Sequence, residues 1–418
     1  MKKNTRVSGL LQSGLIFSAA SFLTGIGNYA FQAIIGRLLK ENGEYGLANS
    51  SLVFIGLLSL PLAIATTAVT HYISRFNFSG DDARLQGLLG GCRKFLFWLT
   101  IGGSVLAVLL IKPLSDFFHF PRTSLTICAL IGVLAGLWGA FATALCQGLA
   151  WFKRLALIGI LGVGLRLAFG GFAAMKYPVA ETAVLALGVA LLANLVLLFW
   201  KKDLARPAQA ISPWNREFLE FLLIAAACVI GGYCFTQGDM LVAKRFFSNA
   251  DLDAYSCAER LAAALPVVVG PLLAVLFTHR SGQQHHAAMR EQFKLLGLYA
   301  AGLVGGAAAL FLLRDFCVRL IFGRPAPEAA TLIAPLAVTM VFVGLLQALA
   351  LWALASRWAK ISLLYGGLGI TYWLILLGLG KTPAALLQTM PVVGGLAFGI
   401  LFCVWLVTMK RQKLAVKN

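Results

Sequence analysis

The side chains able to do chemistry in this 418-residue chain are few, and the most informative sit in apolar surroundings. Four charged residues fall inside long apolar runs: Arg166, Asp239, Glu259 and Arg260. A charge at the centre of a bilayer costs at least about 2.5 to 3.5 kcal/mol, so each marks a candidate site. Arg166 lies halfway along its run and cannot easily snorkel to either surface. It either lines a water-filled cavity or joins a structural ion pair. Asp239, in the stretch Thr236-Gln237-Gly238-Asp239, is either a solvated carboxylate near the interface or a cavity group. Glu259 and Arg260 are neighbours that can neutralise each other or Asp239. Asn28 and Gln32 are four residues apart and share a helix face; they face an aqueous cavity or hydrogen-bond a neighbouring helix. Glu181 and Glu220 stand in the first turns of their runs, within reach of water.

Nothing in the chain has the spacing of a catalytic centre. There is no GxSxG, no GxxxxGK[ST], no HExxH and no carboxylate pair beside a large soluble loop. No catalytic residue, cofactor or metal is expected. The eight cysteines are scattered without a CxxC pair and read as small buried hydrophobes. His285 and His286 share a polar loop without further ligands, so they are not read as a metal site. With no nucleotide site, energy must come from a gradient, the membrane potential or the substrate's own concentration difference. That is the profile of a secondary transporter or flippase, not of an enzyme or a primary pump.

The elements that must position these residues are membrane helices. Hydrophobic residues make up 60% of the chain and charged ones only 12%, against about 25% charged in soluble proteins. The bilayer must be the solvent, and long unbroken apolar runs require helices rather than the alternating strands of a barrel. At roughly 20 residues per crossing there are twelve spans. The first six are Leu10 to Ile35, Gly46 to Thr70, Phe95 to Ile111, Leu125 to Leu149, Leu155 to Met175 and Val179 to Trp200. The second six are Phe218 to Val242, Ala254 to Phe277, Leu295 to Leu313, Ala329 to Leu354, Ile361 to Leu379 and Pro383 to Val407. The first run is too long, and too polar at its end, to be a cleaved signal peptide.

An even number of spans puts both termini on one face. That face carries 22 Lys and Arg and the opposite face 11, which places the termini in the cytoplasm. The formal charge of +19 therefore sets topology and does not line a nucleic-acid groove.

The stretch Lys201 to Glu217, with Pro207 and Pro213, reads as a linker between lobes 1–204 and 205–418. Ile26, Gly27, Tyr29 and Phe31 recur as Ile230, Gly231, Tyr233 and Phe235 at a constant shift of 204, and Pro61 meets Pro266 at 205. Both copies start on the same face, so the expected fold is all-α. Its twelve transmembrane helices form two six-helix lobes related by a pseudo-two-fold axis along the membrane normal. Pro61 and Pro266, at matched mid-span places, remove helix hydrogen bonds and are candidate hinges.

These halves carry a resemblance. The run Asn28-Tyr-Ala-Phe-Gln-Ala-Ile-Ile-Gly-Arg-Leu-Leu with Glu44-Tyr-Gly-Leu, and Gln237-Gly-Asp-Met-Leu-Val-Ala-Lys with Ala254-Tyr-Ser, resemble the polysaccharide-export branch of the multidrug, oligosaccharidyl-lipid and polysaccharide exporter superfamily. Gln147-Gly-Leu-Ala-Trp-Phe-Lys-Arg ahead of Arg166 does so too. The resemblance implies a V-shaped pair of lobes in a bacterial inner membrane. These would move an undecaprenyl-diphosphate-linked oligosaccharide between leaflets by alternating access, as a monomer beside the glycosyltransferases and polymerase of its pathway. Such a substrate needs cations for its diphosphate, which Arg166 and Arg260 could supply. It also needs polar groups for sugar hydroxyls, which Asn28, Gln32, Tyr233 and Gln237 could supply. Asp239 and Glu259 are the candidates for a coupling or charge network. A cation-coupled multidrug exporter remains open, although the first helix lacks the carboxylate such exporters commonly place there. So does a lipid II flippase, which usually has two further helices. A polymerase or ligase would need a large outer loop, and the longest here runs from Arg314 to Glu328.

Overall fold

The computed structural model describes residues 20, 22–39, 43–192, 216–282, 288–323, 327–355 and 358–417. Among them every regular element is a helix. These are α1 (22–38), α2 (Glu44–Leu58), α3 (Leu60–Ser79), α4 (Asp82–Phe117), α5 (Thr123–Gly148), α6 (Phe152–Lys176) and α7 (Ala180–Leu192). They continue with α8 (Arg216–Phe246), α9 (Asn249–Gly282), α10 (Ala288–Leu312), α11 (Arg314–Phe322), α12 (Pro327–Ala355), α13 (Ala359–Leu379) and α14 (Pro383–Lys417). Seven of these are long and apolar enough to cross a membrane singly, and two bent pairs, α2 with α3 and α10 with α11, qualify together. Each of the twelve predicted spans falls, in its described residues, on one of these helices or on the α2–α3 pair. The chain is an all-α, multi-pass membrane protein.

The surface shows why a bilayer is required. On α4, Trp98, Val108 and Leu109 are all more than half exposed. In water such a stripe would mean aggregation, whereas lipid tails satisfy it. At 36 residues, α4 is about 54 Å long and outruns a hydrocarbon core of about 30 Å. Its first turns, with Arg84, Arg93 and Lys94, therefore extend beyond the apolar layer.

The chain divides into two compact units, Met1–Leu223 and Ile224–Asn418. The division falls inside α8, whereas the linker expected from Lys201 to Glu217 lies almost wholly outside the described residues. In the first unit, Tyr72 and Ile73 of α3, Leu85, Leu88 and Leu89 of α4, and Leu137, Phe141 and Leu145 of α5 form a buried cluster. In the second unit, α8 and α13 cross at backbone contact. A Cβ on Gly231 would stand 2.9 Å from Gly366 Cα, and one on Gly369 would stand 2.6 Å from Gly231 Cα. Small residues at a membrane helix crossing let backbones approach and gain dispersion contact where no hydrophobic drive operates.

Two expectations need correction. Pro61 and Pro266 are not structurally matched. The second span breaks at Ser59, with a 50° bend between its parts, and Pro61 stands in the first turn of α3, where its missing N–H costs nothing. At Pro266, α9 runs on as one helix. The stretch from Arg314, expected as an outer loop, is instead the helix α11, turned 79° from α10.

Candidate functional site

In the first unit the seam between α1 and α6 holds the mid-membrane arginine. Gly159, Val163, Arg166 and Gly170 recur at intervals of four, three and four along one face of α6. Gly159 meets Thr24, and Val163 meets Gly27. A Cβ at Gly170 would lie 2.5 Å from the Phe31 ring, so this glycine lets the buried Phe31 sit beneath Arg166, one turn away. The Arg166 guanidinium carbon lies 4.2 Å from the Phe31 centroid, and Nη1 donates to Asn28 Oδ1 at 2.9 Å. An amide oxygen and a ring face orient the guanidinium plane, and neither contact cancels its charge. Gln32 accepts a long hydrogen bond, 3.5 Å, from the Tyr45 hydroxyl of α2. Asn28 and Gln32 thus both reach neighbouring helices.

In the second unit Asp239 is 1% exposed and Glu259 fully buried. Asp239 is therefore not a solvated interfacial carboxylate. The Tyr255 hydroxyl, on α9, donates to Asp239 Oδ2 at 2.5 Å and lies 3.5 Å from Met390 Sδ on α14. Asp239 Oδ1 is buried without a hydrogen-bond partner among the described residues. Glu259 Oε2 pairs with Arg260 Nε at 3.3 Å, so these sequence neighbours do neutralise each other. Tyr372 of α13 stands on Phe235, ring centroids 5.1 Å apart. Tyr233 and Gln237 share one face of α8, half-buried. Among the described residues no group of three His, Cys, Asp or Glu could hold a metal ion. His285 and His286 lie outside the described residues.

The two units hold comparable constellations. Tyr45, in the first turn of α2, reaches back to Gln32; Tyr255, in the second turn of α9, reaches back to Asp239. Gln32 and Asp239 are separated by 207 positions, and Tyr45 and Tyr255, like Asn49 and Glu259, by 210. Asn49 and Glu259 are both buried. At the 204 shift of Phe31 and Phe235, Gln32 corresponds to Thr236 and not to Asp239, so the two tyrosine bonds are similar without being matched in register. Tyr255 was legible in the sequence through the recurring tyrosine of the two motifs.

A further cluster went unread in the sequence. Arg122, just before α5, donates through Nη2 to Glu44 Oε2 at 2.7 Å and to Glu181 Oε2 at 3.0 Å, and its Nε lies 2.9 Å from Glu181 Oε1. Glu44 Oε2 also accepts from the Ala180 N–H at 2.7 Å, and Glu181 Oε1 accepts from the Ser124 hydroxyl at 2.6 Å. Both carboxylates stand at helix N-termini, where the dipole favours them. The Glu44 hydrogen bond above all, with the charge of Glu181, raises the Arg122 pKa above its ordinary value although partial burial opposes this. This clasp ties α2, α5 and α7 together.

Helices that satisfy their own backbones and fill two compact units define the class: a polytopic all-α membrane fold. Solved structures sharing it belong to the MOP superfamily. An inward-facing multidrug resistance transporter of the MATE family superposes with TM-score 0.66 at 16% identity, over 93% of this chain and 95% of that one. Lipid II flippase MurJ, in an inward closed conformation, gives 0.69 at 14% identity over 93% and 87%. An outward-facing MATE transporter gives 0.66 at 12% identity over 97% and 96%. No model of a protein family matches the chain, and no curated protein matches it in sequence. The fold is that of the superfamily's exporters and flippases.

Proposed function

We propose that this protein is a flippase for a lipid-linked oligosaccharide, carrying an undecaprenyl-diphosphate-linked glycan from the inner to the outer leaflet of a bacterial plasma membrane by alternating access. The observation that carries the reading is the Arg166 guanidinium, halfway through its helix and oriented by Asn28 and Phe31. A planar cation fixed in mid-membrane suits a diphosphate, which a bidentate fork can grip. Asn28, Gln32, Tyr233 and Gln237 serve sugar hydroxyls, and Arg260 serves the diphosphate in the second unit while paired with Glu259. Asp239 and Glu259, held by Tyr255 and Arg260, form the coupling network. Pro61 acts at the bend of the second span. The glycosyltransferases and polymerase of the same pathway are its partners, and both termini are cytoplasmic.

A cation-coupled drug exporter is the second reading. The buried Asp239 with its unpartnered oxygen favours it, and solved MATE transporters share the fold. The deciding experiment is deletion of the gene, with surface glycan, the leaflet of lipid-linked precursors and sensitivity to cationic drugs measured together. Loss of surface glycan with precursor accumulating on the inner leaflet supports the flippase. Normal glycan with raised drug sensitivity overturns it in favour of the exporter.

A further inference from the structure

The short helix α11 has no place in the transport reading, yet its surface is sharply sorted. It follows α10 after the single residue Leu313, turned by 79°. With α10 as the ninth span of the sequence reading, the 79° turn sets α11 nearly in the membrane plane, at the end of α10 away from the termini. At 100° per residue, Leu313, Phe316 and Leu320 fall within one narrow sector, and each is more than half exposed. Val318 and Phe322 fall on the opposite side and are buried. Asp315 and Arg319 occupy the sector between, both exposed to solvent.

We infer that α11 lies in the lipid interface of the leaflet opposite the termini, with Leu313, Phe316 and Leu320 among the upper acyl chains and Arg314 and Arg319 at the level of anionic headgroups. Three features select lipid over a protein partner. The apolar sector continues directly into the exposed Phe311 and Leu312 of α10, a surface that faces acyl chains. The sectors follow the order a helix lying at the rim of a membrane protein requires: protein on one side, lipid on the other, water and headgroups between. The charge balance of Arg314, Asp315 and Arg319 is one positive, which suits phosphate-bearing headgroups. Arg314 also packs its guanidinium 5.2 Å from the Phe311 ring centroid, the posture of a side chain snorkelling from an apolar base. Functionally, α11 fixes the depth of the ninth span while other spans move.

The test is a photo-crosslinker, p-benzoylphenylalanine, placed singly at positions 316, 320 and 315 of the full-length protein in membranes. Adducts are identified by mass spectrometry. The inference expects phospholipid adducts from 316 and 320, several-fold above those from 315. Adducts to a protein at 316 and 320 would overturn it in favour of a partner-binding face, and equal weak labelling at all three positions would overturn it in favour of a helix in water. In vesicles of phosphatidylethanolamine with phosphatidylglycerol, the doubly substituted Arg314→Gln, Arg319→Gln protein should retain several-fold less phosphatidylglycerol on extraction. Unchanged retention overturns the headgroup assignment.

Discussion

The Tyr255 hydroxyl donates to Asp239 Oδ2 across 2.5 Å, joining the last turns of α8 to the start of α9 inside the second unit. In the first unit Tyr45 and Gln32 make a neutral bond that is a full ångström longer. A hydroxyl on a carboxylate makes a charge-assisted bond, shorter and stronger than a neutral one. The two units thus differ in the electrostatics of their tyrosine bonds.

Tyr255→Phe removes the donor and leaves Asp239 buried without it. Interhelical hydrogen bonds in membranes average about 0.6 kcal/mol and reach about 1.7. A thermal melt of the purified protein should therefore fall only slightly, while transport falls steeply if Asp239 carries the coupling ion. Asp239→Asn should retain the fold and lose any dependence of transport on an imposed proton or sodium gradient. Transport that keeps its gradient dependence in Asp239→Asn removes this residue from coupling.

Arg166→Ala should abolish glycan export with expression unchanged. Arg166→Lys keeps the charge but not the fork, so it should recover part of the activity if charge suffices and little if bidentate binding is required. Normal export by the alanine variant would remove Arg166 from the site.

Gly170→Ala tests the support beneath Arg166. The added methyl meets Phe31 at 2.5 Å and must tilt the ring on which the guanidinium stacks. At the neighbouring Gly171 the nearest atom, Ile34 Cγ2, is 3.9 Å away. Export should drop several-fold in Gly170→Ala and remain near normal in Gly171→Ala, which an assay of surface glycan resolves.

Arg122→Gln leaves Glu44 and Glu181 facing each other without their cation. The clasp is partly exposed, with the Arg122 side chain 37% accessible, so the loss should be about 1 to 2 kcal/mol rather than that of a fully buried pair. Arg122 has its pKa raised by its partners, so its contribution is fully present below the ordinary arginine value and is lost only above it. The stability difference between wild type and Arg122→Gln, read by thermal melting, should hold from neutral to mildly alkaline pH.

The prolines make an asymmetric pair of tests. Pro61→Ala allows a continuous helix through the break at Ser59 and should slow transport if the bend works in the cycle. Pro266→Ala restores a donor within an already continuous helix and should leave the rate near that of the wild type. Equal effects would contradict the structural difference between them.

The sequence by itself determined the class of fold. Uninterrupted apolar runs can be satisfied only by helices in lipid, so the spans could be placed on helices, although the helix of the third starts thirteen residues earlier, and the recurring Phe31 and Phe235 announced the duplication. It also singled out Arg166, Asp239, Glu259 and Arg260, because charge in an apolar run is costly wherever the helix points. Tertiary structure decided the partners, because hydrogen bonds such as Arg166 to Asn28 and Arg122 to Glu44 join residues that are 138 and 78 positions apart. Glu181 read as a charge within reach of water, and Glu44 and Arg122, at the ends of apolar runs, carried no signal of their own. Only folding brings three such ends together. The difference between Pro61 and Pro266 was hidden for a similar reason: proline removes a donor in both places, and packing decides whether the helix breaks.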